Sequence, residues 1–283
     1  MMAASSVCFA LMAFAAKMAA AGLSGGEIAF WRFAIMLVPL VAVPRWGRQA
    51  LEFQRLDLLA CRGIFGGTAV LLYFLAIAHI PVGIATLLNY SAPIYSVLFA
   101  SLFLGERVDR RLVLPLAAAL VGLALTVSGN TGDRGGTPFH FGLWELVGMA
   151  SGVLSGAAVT AIRAARRTEG SWAVYGSFSL CGLLATAPIA LSAFQAPAPR
   201  EWLLLAVVGG ASVVAQLLMT WAYRWVTNLQ AGVISQLTVV VSMILGVMFL
   251  GDRLTTLQLL GGALALGGVV GVVWTQSTPR AVE

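Results

Sequence analysis

Uncharged polar side chains interrupt the long apolar stretches of this sequence, and they are the groups best placed to do chemistry. Within residues 82–104, Thr86, Asn89 and Tyr90 recur at helical spacing and share one face of the predicted helix. Polar groups at membrane depth are costly to bury, which makes them default candidates for function. Hydroxyl, amide and phenol groups on one face favour recognition of a small molecule by hydrogen bonds.

A similar face recurs in the second half of the chain. A shift of 146 residues carries Asn89 onto Ser235 and Tyr90 onto Gln236, so both halves have a polar step near mid-membrane. We therefore predict a midplane cavity with Lys17 near its outer mouth. The candidate substrate-binding residues are Lys17, Tyr73, Thr86, Asn89, Tyr90, Met219, Tyr223, Ser235 and Gln236. The alternative is ordinary hydrogen bonding between helices, often worth only about 0.6 kcal/mol per bond.

The sequence lacks the residues that ion coupling, metal binding or phosphate binding would require. Every acidic residue falls in a predicted loop or at a span end, so no carboxylate at mid-membrane is available to bind a proton or a sodium ion. His79 and His140 have no metal-ligand spacing, and no phosphate-binding glycine loop is present. Cys8, Cys61 and Cys181 are interpreted as small packing residues. We expect no enzyme activity, no metal and no cofactor, with an intramembrane enzyme as the alternative.

The composition is typical of a multispanning membrane protein. Of 283 residues, 60% are hydrophobic and 10% are charged, whereas soluble proteins are about one quarter charged. Ten apolar runs are long enough to cross a hydrocarbon layer of ~30 Å, which predicts an all-α integral membrane protein with ten transmembrane helices. The runs lie at 2–22, 26–44, 61–79, 82–104, 111–128, 143–164, 172–194, 202–224, 228–250 and 256–275.

An internal duplication organises these spans. Residues 76–108 match residues 222–254 at the constant shift of 146, with Gly105-Glu106-Arg107 corresponding to Gly251-Asp252-Arg253. A regular match at one offset indicates two repeats of five helices. Because five is an odd number, the second repeat enters the membrane from the opposite side. The repeats are therefore predicted to be inverted, as in many secondary transporters.

The duplication also defines the domains. The first five-helix repeat is predicted at 1–128 and the second at 143–283. The connector at 129–142 is polar and rich in glycine, as expected for an exposed loop.

Positive charges set the predicted orientation. With a cytoplasmic N-terminus, twelve of the seventeen Lys and Arg residues, Arg62 among them, lie inside and three lie outside. Both termini are therefore predicted to be cytoplasmic, and the net charge of +6 reflects this bias instead of a nucleic-acid partner. Lys17 and Arg32 lie within spans. Lys17 is expected to pair with Glu27 or to reach the outer surface, and Arg32 to bond carbonyls beside Glu27.

Prolines within the apolar runs are candidate hinges. Pro39, Pro93 and Pro188 each interrupt a predicted span, where a proline removes one backbone hydrogen bond and bends the helix. These bends are predicted to flex during an alternating-access cycle, with static kinks as the alternative.

Spans 5 and 10 are the least polar, and they are rich in small residues. The pairs Ala118/Gly122 and Gly267/Gly271 have the small-xxx-small spacing that lets helices approach closely. These spans are predicted to pack against each other or a neighbouring chain, away from the substrate path.

The ends of the duplicated segments carry a family resemblance. Phe103-Leu104-Gly105-Glu106-Arg107 follows the Pro93 helix, and Phe249-Leu250-Gly251-Asp252-Arg253 repeats it. With five-plus-five spans, nearly the whole chain resembles the EamA-type carriers of the drug/metabolite transporter superfamily. Within that family it is most similar to bacterial inner-membrane exporters of aromatic and other amino acids. The resemblance implies a central cavity walled by spans 1, 3, 4, 6, 8 and 9. Asp252 departs from the family's usual Glu but retains the charge.

These observations predict an inner-membrane secondary transporter that exports amino acids, aromatic and other neutral ones with broad specificity, by alternating access. A neutral cavity suits a zwitterion, whose charges can be met by helix ends and uncharged polar groups. The alternatives are an exporter of cationic drugs or other small metabolites, and a membrane scaffold that moves no solute. The expected partners are the amino-acid substrate and the lipid bilayer, with no nucleic acid. A monomer is expected to suffice for transport, and a dimer is left open.

Overall fold

Helices make up the regular secondary structure of the described chain. The computed structural model describes residues 1–104, 111, 113–128, 142–165, 168–192, 194–222 and 234–277. The helices are α1 Met2–Ala19, α2 Gly25–Ala42, α3 Pro44–Leu51, α4 Leu56–His79, α5 Val82–Asn89, α6 Ala92–Leu104, α7 Val113–Ser128, α8 Leu143–Ala165, α9 Ser171–Ser192, α10 Pro199–Ala222, α11 Leu237–Phe249 and α12 Thr256–Ser277. The predicted all-α class is confirmed over these residues.

Seven of the described helices are long and apolar enough to cross a membrane, namely α1, α2, α4, α8, α9, α10 and α12. Helices of about 20 residues rise roughly 30 Å, which matches the hydrocarbon layer. The apolar stretches in α7 and α11 are shorter. The chain is therefore a multi-pass membrane protein, and the full set of ten inverted spans stays a prediction.

Two predicted spans of the first half differ from the structure in ways that bear on the site. The span predicted at 82–104 is divided into α5 and α6. The span predicted at 26–44 ends at Ala42, because Val43 is extended (φ −117°, ψ 96°) and Pro44 opens α3. A residue before proline is biased away from the helical conformation, which accounts for this earlier end.

The α2 N-terminus is fixed by its own sequence and by a distant loop. The Ser24 hydroxyl accepts the Glu27 N–H, and Glu27 Oε2 accepts the Ser24 N–H at 2.9 Å, which forms a capping box. Glu27 Oε1 accepts the Gln195 N–H at 2.8 Å. Glu27 therefore lies at a helix end, as predicted, and its carboxylate accepts two backbone N–H groups.

α7 and α12 pack closely along an antiparallel contact of small residues. Gly122 of α7 lies against the backbone of Ala265, and Gly268 of α12 lies against the backbone of Ala119. Because glycine has no Cβ, the two backbones approach more closely than larger residues would allow. Of the predicted pair, Gly271 lies against Pro115 of α7, but Gly268 makes the contact expected of Gly267, where an added Cβ would meet no neighbouring atom of the described residues within 4 Å.

The remaining packing places α1 against α10, α4 against α8 and α9, and α2 against α9 and α10. In the predicted repeats, α1 corresponds to α8, α2 to α9 and α4 to α10. The α1–α10 contact is therefore equivalent to the α4–α8 contact, and the α4–α9 contact is equivalent to the α2–α10 contact. The largest core cluster takes buried apolar side chains from α1, α2, α4 and α5 and also from α6, α7, α10, α11 and α12.

Candidate functional site

The break between α5 and α6 brings polar groups into the interior of the helical bundle. α5 closes with the Tyr90 N–H donating to the Thr86 carbonyl at 2.8 Å, and α6 opens with the Ile94 N–H donating to the Ser91 carbonyl at 2.9 Å. The Ser91 hydroxyl donates to the Leu88 carbonyl. One acceptor that the interrupted helix leaves behind is therefore satisfied locally.

Pro93 lies at this break, as its predicted interruption of the span requires, and its hinge role stays a prediction. Proline has no N–H, so Pro93 cannot donate to the Asn89 carbonyl as a continuous helix would require. It occupies the first turn of α6, where a missing N–H costs nothing. Pro93 therefore opens a helix instead of bending one. Pro39 and Pro188 do lie inside α2 and α9, and their hinge role stays a prediction.

A second break lies at the equivalent position of the other half. Residues 234–235 are helical, Gln236 is in a turn, and α11 begins at Leu237. The Gln236 carbonyl accepts the Val239 N–H at 3.0 Å and so starts the new helix. Gln236 Nε2 donates to the Tyr90 carbonyl at 3.5 Å, across a sequence separation of 146 residues. The two breaks thus meet, and equivalent residues of the two halves touch each other.

Tyr73 and Thr86 form a buried hydrogen-bonded pair beside the first break. The Thr86 hydroxyl donates to the Val82 carbonyl at 2.7 Å, and the Tyr73 hydroxyl lies 2.8 Å from Thr86 Oγ1. Because the single hydroxyl proton of Thr86 points to Val82, Tyr73 is the donor in this pair. The pair joins α4 to α5 and places the Tyr73 ring at the side of the break.

Asn89 joins the end of α5 to α8. Its Nδ2 donates to Ser151 Oγ and to Ser155 Oγ, each at 3.1 Å. Ser151 and Ser155 lie one helical turn apart, so they present two acceptors on one face of α8. These serines were not predicted as part of the site, although their spacing of four residues was a usable signal.

Two charged side chains hold the loop that leads into α5. Lys17, in the last turn of α1, donates from Nζ to the Ile80 carbonyl at 2.9 Å and to the Ala78 carbonyl at 3.4 Å. Asp252 Oδ2 accepts the Val82 N–H at 3.1 Å, at the N-terminus of α5. Lys17 does not pair with Glu27, because it is engaged by these carbonyls. The second copy of the duplicated motif therefore caps the broken helix of the first half.

The other predicted residues are placed as follows. Met219 packs in a small apolar cluster with Met2, Ala222 and Ile234, separate from the Tyr73–Thr86 pair. Gln236 is buried, whereas Asn89, Tyr90 and Ser235 are half-buried. Tyr223 lies outside the described residues. The breaks therefore bring Tyr90 and Gln236 together, with Thr86, Tyr73 and Asn89 beside them, while Met219 packs against Ile234 just before the second break.

Two arginines that were not predicted as part of the site lie in the interior. Arg32 of α2 is 3% exposed and Arg62 of α4 is 7% exposed. Arg62 was predicted to be one of the cytoplasmic charges, but it is the seventh residue of α4 and contacts the Phe178 ring. Arg32 donates from Nε to Ser212 Oγ at 2.9 Å and not to carbonyls beside Glu27.

Within the described residues, no group of three or more His, Cys, Asp and Glu side chains is arranged to hold a metal ion. The polar groups at the breaks are hydroxyls, amides and backbone carbonyls. Such groups can bind and orient a small solute.

Known proteins resemble this chain over most of its length. The profile of the EamA-like transporter family matches residues 1–128 and 142–274. The pseudopaline exporter of Pseudomonas aeruginosa strain UCBPP-PA14 is 30% identical over 260 residues, which cover 90% of this chain and 88% of that protein. A crystal structure of a protein 19% identical in sequence superposes with a TM-score of 0.64 and covers 97% of this chain and 99% of the other, which shows a shared fold.

Two further relatives carry different names. The probable terminal-alkyne amino-acid exporter of Streptantibioticus cattleyicolor is 30% identical over 198 residues, covering 68% of this chain and 64% of that protein. The riboflavin transporter of Brucella anthropi is 26% identical over 209 residues, covering 71% of each. With a family profile over nearly the whole chain and a relative 30% identical over 90% of it, this chain belongs to the EamA-like transporter family.

Proposed function

We propose that this membrane transporter exports amino acids, aromatic and other neutral ones, across the bacterial inner membrane by alternating access. The observation that carries the proposal is the contact of two broken helices, where Gln236 meets the Tyr90 carbonyl. Transporters with inverted repeats bind substrate near the midplane at discontinuous helices. Helix ends expose backbone N–H and carbonyl groups, and these can meet the opposite charges of a zwitterion.

Reciprocal contacts support two five-helix repeats at 1–128 and 143–283. Gly63 lies against Cys181, and Gly209 lies against Ile35. At the shift of 146, Gly63 corresponds to Gly209 and Ile35 corresponds to Cys181, so the two contacts are equivalent. Reciprocal contacts are what a two-fold axis generates. With an odd number of spans in each repeat, that axis lies in the membrane plane.

The same reciprocity is found at the breaks themselves. The Leu88 carbonyl lies against Gly152, and the equivalent Ile234 carbonyl accepts the Ser6 hydroxyl at 3.2 Å. The last turn before each break is thus held by the first helix of the opposite repeat. This arrangement supports a site between the repeats that either repeat can expose by a small rotation.

Contacts between loops support the predicted sidedness. Glu169 accepts the N–H groups of Gln54 and Arg55 at 3.0 and 2.6 Å, which joins two loops predicted to be cytoplasmic. Glu27 accepts the Gln195 N–H at 2.8 Å, which joins two loops predicted to be external. The bias of positive charge then favours an orientation with both termini in the cytoplasm.

The names of the relatives support a small organic solute. They describe exporters of pseudopaline and of a terminal-alkyne amino acid, and a transporter of riboflavin. The amino-acid assignment rests in addition on the uncharged hydrogen-bonding groups at the breaks, which suit a molecule of no net charge.

Transport by the purified protein tests this proposal. Proteoliposomes containing this chain alone are expected to take up radiolabelled threonine, methionine or phenylalanine faster than empty liposomes, with no proton gradient imposed. Uptake only under a proton gradient would instead show that a titrating group drives the cycle. No uptake of any amino acid under either condition would reject the substrate assignment but would not affect the family membership.

A further inference from the structure

Two buried arginines lie in the interior of the helical bundle, one on α2 and one on α4. Arg32 is the eighth residue of α2 and Arg62 the seventh of α4, so each lies about 10 Å inside its helix. Their exposed fractions are 3% and 7%. Arginine stays protonated in proteins, and a buried charge is destabilising unless it is paired and hydrogen-bonded. The question is therefore which groups offset the cost of burying these two charges.

Aromatic rings contact both guanidinium groups. The Phe178 ring centroid lies 4.0 Å from Arg62 Cζ and 5.6 Å from Arg32 Cζ, so one ring contacts both cations. Arg32 also lies 4.9 Å from the Phe33 ring and 5.9 Å from the Phe74 ring. Cation–π contacts offset part of the cost of burial. They do not supply a hydrogen-bond acceptor.

Hydrogen bonding of the pair is incomplete. Arg32 donates from Nε to Ser212 Oγ, while Arg32 Nη1 and Arg62 Nε are buried without a partner. Among the described residues no carboxylate lies within ion-pair distance of either arginine. Glu27, five residues before Arg32, is occupied by two backbone N–H groups. Two neighbouring cations in a poorly hydrated site thus lack an anion.

Packed aromatic rings connect Arg32 to the first break. The Arg32 guanidinium lies 5.9 Å from the Phe74 ring centroid. Tyr73 bonds Thr86 beside the first break, and the Tyr73 and Phe74 rings are in edge contact at 5.7 Å. A solute at the breaks would therefore have guanidinium N–H groups on one side.

We propose that Arg32 and Arg62 bind a carboxylate of the exported solute, so that the site accepts carboxylate-bearing metabolites and rejects cations. This proposal rests on the proposed function for the transport step, and it extends the solutes from neutral amino acids to metabolites that carry a second carboxylate. Guanidinium groups match the planar geometry of carboxylates and bind them by charge-assisted hydrogen bonds. Two guanidinium groups favour a solute with two carboxylates over a neutral analogue of the same length. A cationic drug would meet like charges.

Binding to the wild-type protein gives the first test. Purified protein in detergent is titrated by calorimetry and thermal denaturation with glutarate, a dicarboxylate, and with glutaramide, its neutral diamide. We expect saturable binding of glutarate with a rise in Tm, and no response to glutaramide. An equal response to both compounds, or none to glutarate, would overturn the proposal.

Substitutions locate the site. Arg32→Gln and Arg62→Gln are each expected to weaken glutarate binding by about tenfold or more, since each removes charge-assisted hydrogen bonds. Arg62→Gln is also expected to raise the Tm of the ligand-free protein, because it removes an unpaired buried charge. The matched control is Arg55→Gln, since Arg55 is 54% exposed in a surface ion pair with Asp57. It should bind glutarate like the wild type.

A purely structural role for the arginines gives the opposite pattern. The Gln variants would then have a lower Tm and would bind glutarate like the wild type. Should the Gln variants fail to fold, Arg32→Lys and Arg62→Lys keep the charge but lose the planar fork, and are expected to bind glutarate more weakly. Unchanged binding by both Lys variants, in protein that is folded, would count against the proposal.

Transport measurements distinguish failure of the carboxylate site from failure of the proposed amino-acid export. Phenylalanine uptake that glutarate does not inhibit would reject the carboxylate site and keep the amino-acid exporter. Glutarate binding without uptake of any amino acid would keep the carboxylate site and reject the amino-acid assignment.

Discussion

At the scale of single residues, Asn89 connects the end of α5 to α8 through two hydroxyls. Asn89→Ala removes both hydrogen bonds, each worth about 0.6 kcal/mol, so we expect the free energy of unfolding to fall by only about 1 kcal/mol. Ser151 keeps its bond to the Gly148 carbonyl at 2.7 Å. Because Asn89 immediately precedes the break, we expect amino-acid uptake in proteoliposomes to fall much more than stability does.

The matched control for Asn89 is Ser177→Ala. The Ser177 hydroxyl bonds only the Val174 carbonyl of its own helix, at 3.1 Å, and it lies away from both breaks. This variant should transport amino acids at the wild-type rate. Wild-type transport by Asn89→Ala, together with a lower Tm, would show that Asn89 serves packing alone.

The sequence predicted part of the site because polar residues are conspicuous in apolar runs. Thr86, Asn89 and Tyr90 share a helical face, and the duplication added Gln236. Arg62 was missed because it lies at the edge of an apolar run, where hydropathy does not distinguish a loop charge from a buried one. Only the packing of α9 against α4 shows that it is covered.

At the scale of elements, the N-terminus of α5 depends on a carboxylate from the other half of the chain. Asp252 Oδ2 accepts the Val82 N–H, and a negative charge there also favours the helix dipole. Loss of such a cap costs about 0.5–2 kcal/mol. Asp252→Ala should lower the free energy of unfolding by this amount and speed amide hydrogen exchange at the start of α5.

Two comparisons test the capping role. Asp252→Asn keeps an acceptor oxygen and should retain more stability than Asp252→Ala. Arg253→Gln changes the adjacent charge in the same loop and should leave exchange in α5 unchanged. Equal exchange rates in the wild type and Asp252→Ala would mean that the carboxylate does not hold α5.

The breaks themselves were only partly predictable. Residues 82–104 have the hydropathy of one continuous span, and periodicity alone does not mark an interruption inside an apolar run. Pro93 was the available signal, since it removes the hydrogen bond that Asn89 would accept. The partner of the break, Gln236, carries no such signal. Its position was found only because the repeat relates it to Tyr90.

At the scale of the whole molecule, the internal duplication was the strongest predictor of architecture. A constant shift of 146 residues predicts which helices are equivalent, and the contacts agree with it. Gly122 contacts Ala265, and their equivalents Gly268 and Ala119 contact each other. Sequence cannot predict how closely such helices approach, because that depends on which small residues face each other. One register step separates the predicted Gly267 from the observed contact.

Sidedness is the whole-molecule property on which export depends, and the chain offers two exposed positions that report it. Glu52 follows α3 in a loop predicted to be cytoplasmic, and Arg200 opens α10 on the predicted outer side; both side chains are exposed. In a background with Cys8, Cys61 and Cys181 replaced by alanine, Arg200→Cys should react with a membrane-impermeant maleimide in intact cells. Glu52→Cys should react only after the membrane is permeabilised. The loop contacts of Glu169 and Glu27 tie further loops to these two sides, so one labelling experiment orients the bundle. Labelling of Glu52→Cys but not Arg200→Cys in intact cells would reverse the orientation, and with it the side from which the proposed cavity releases its solute.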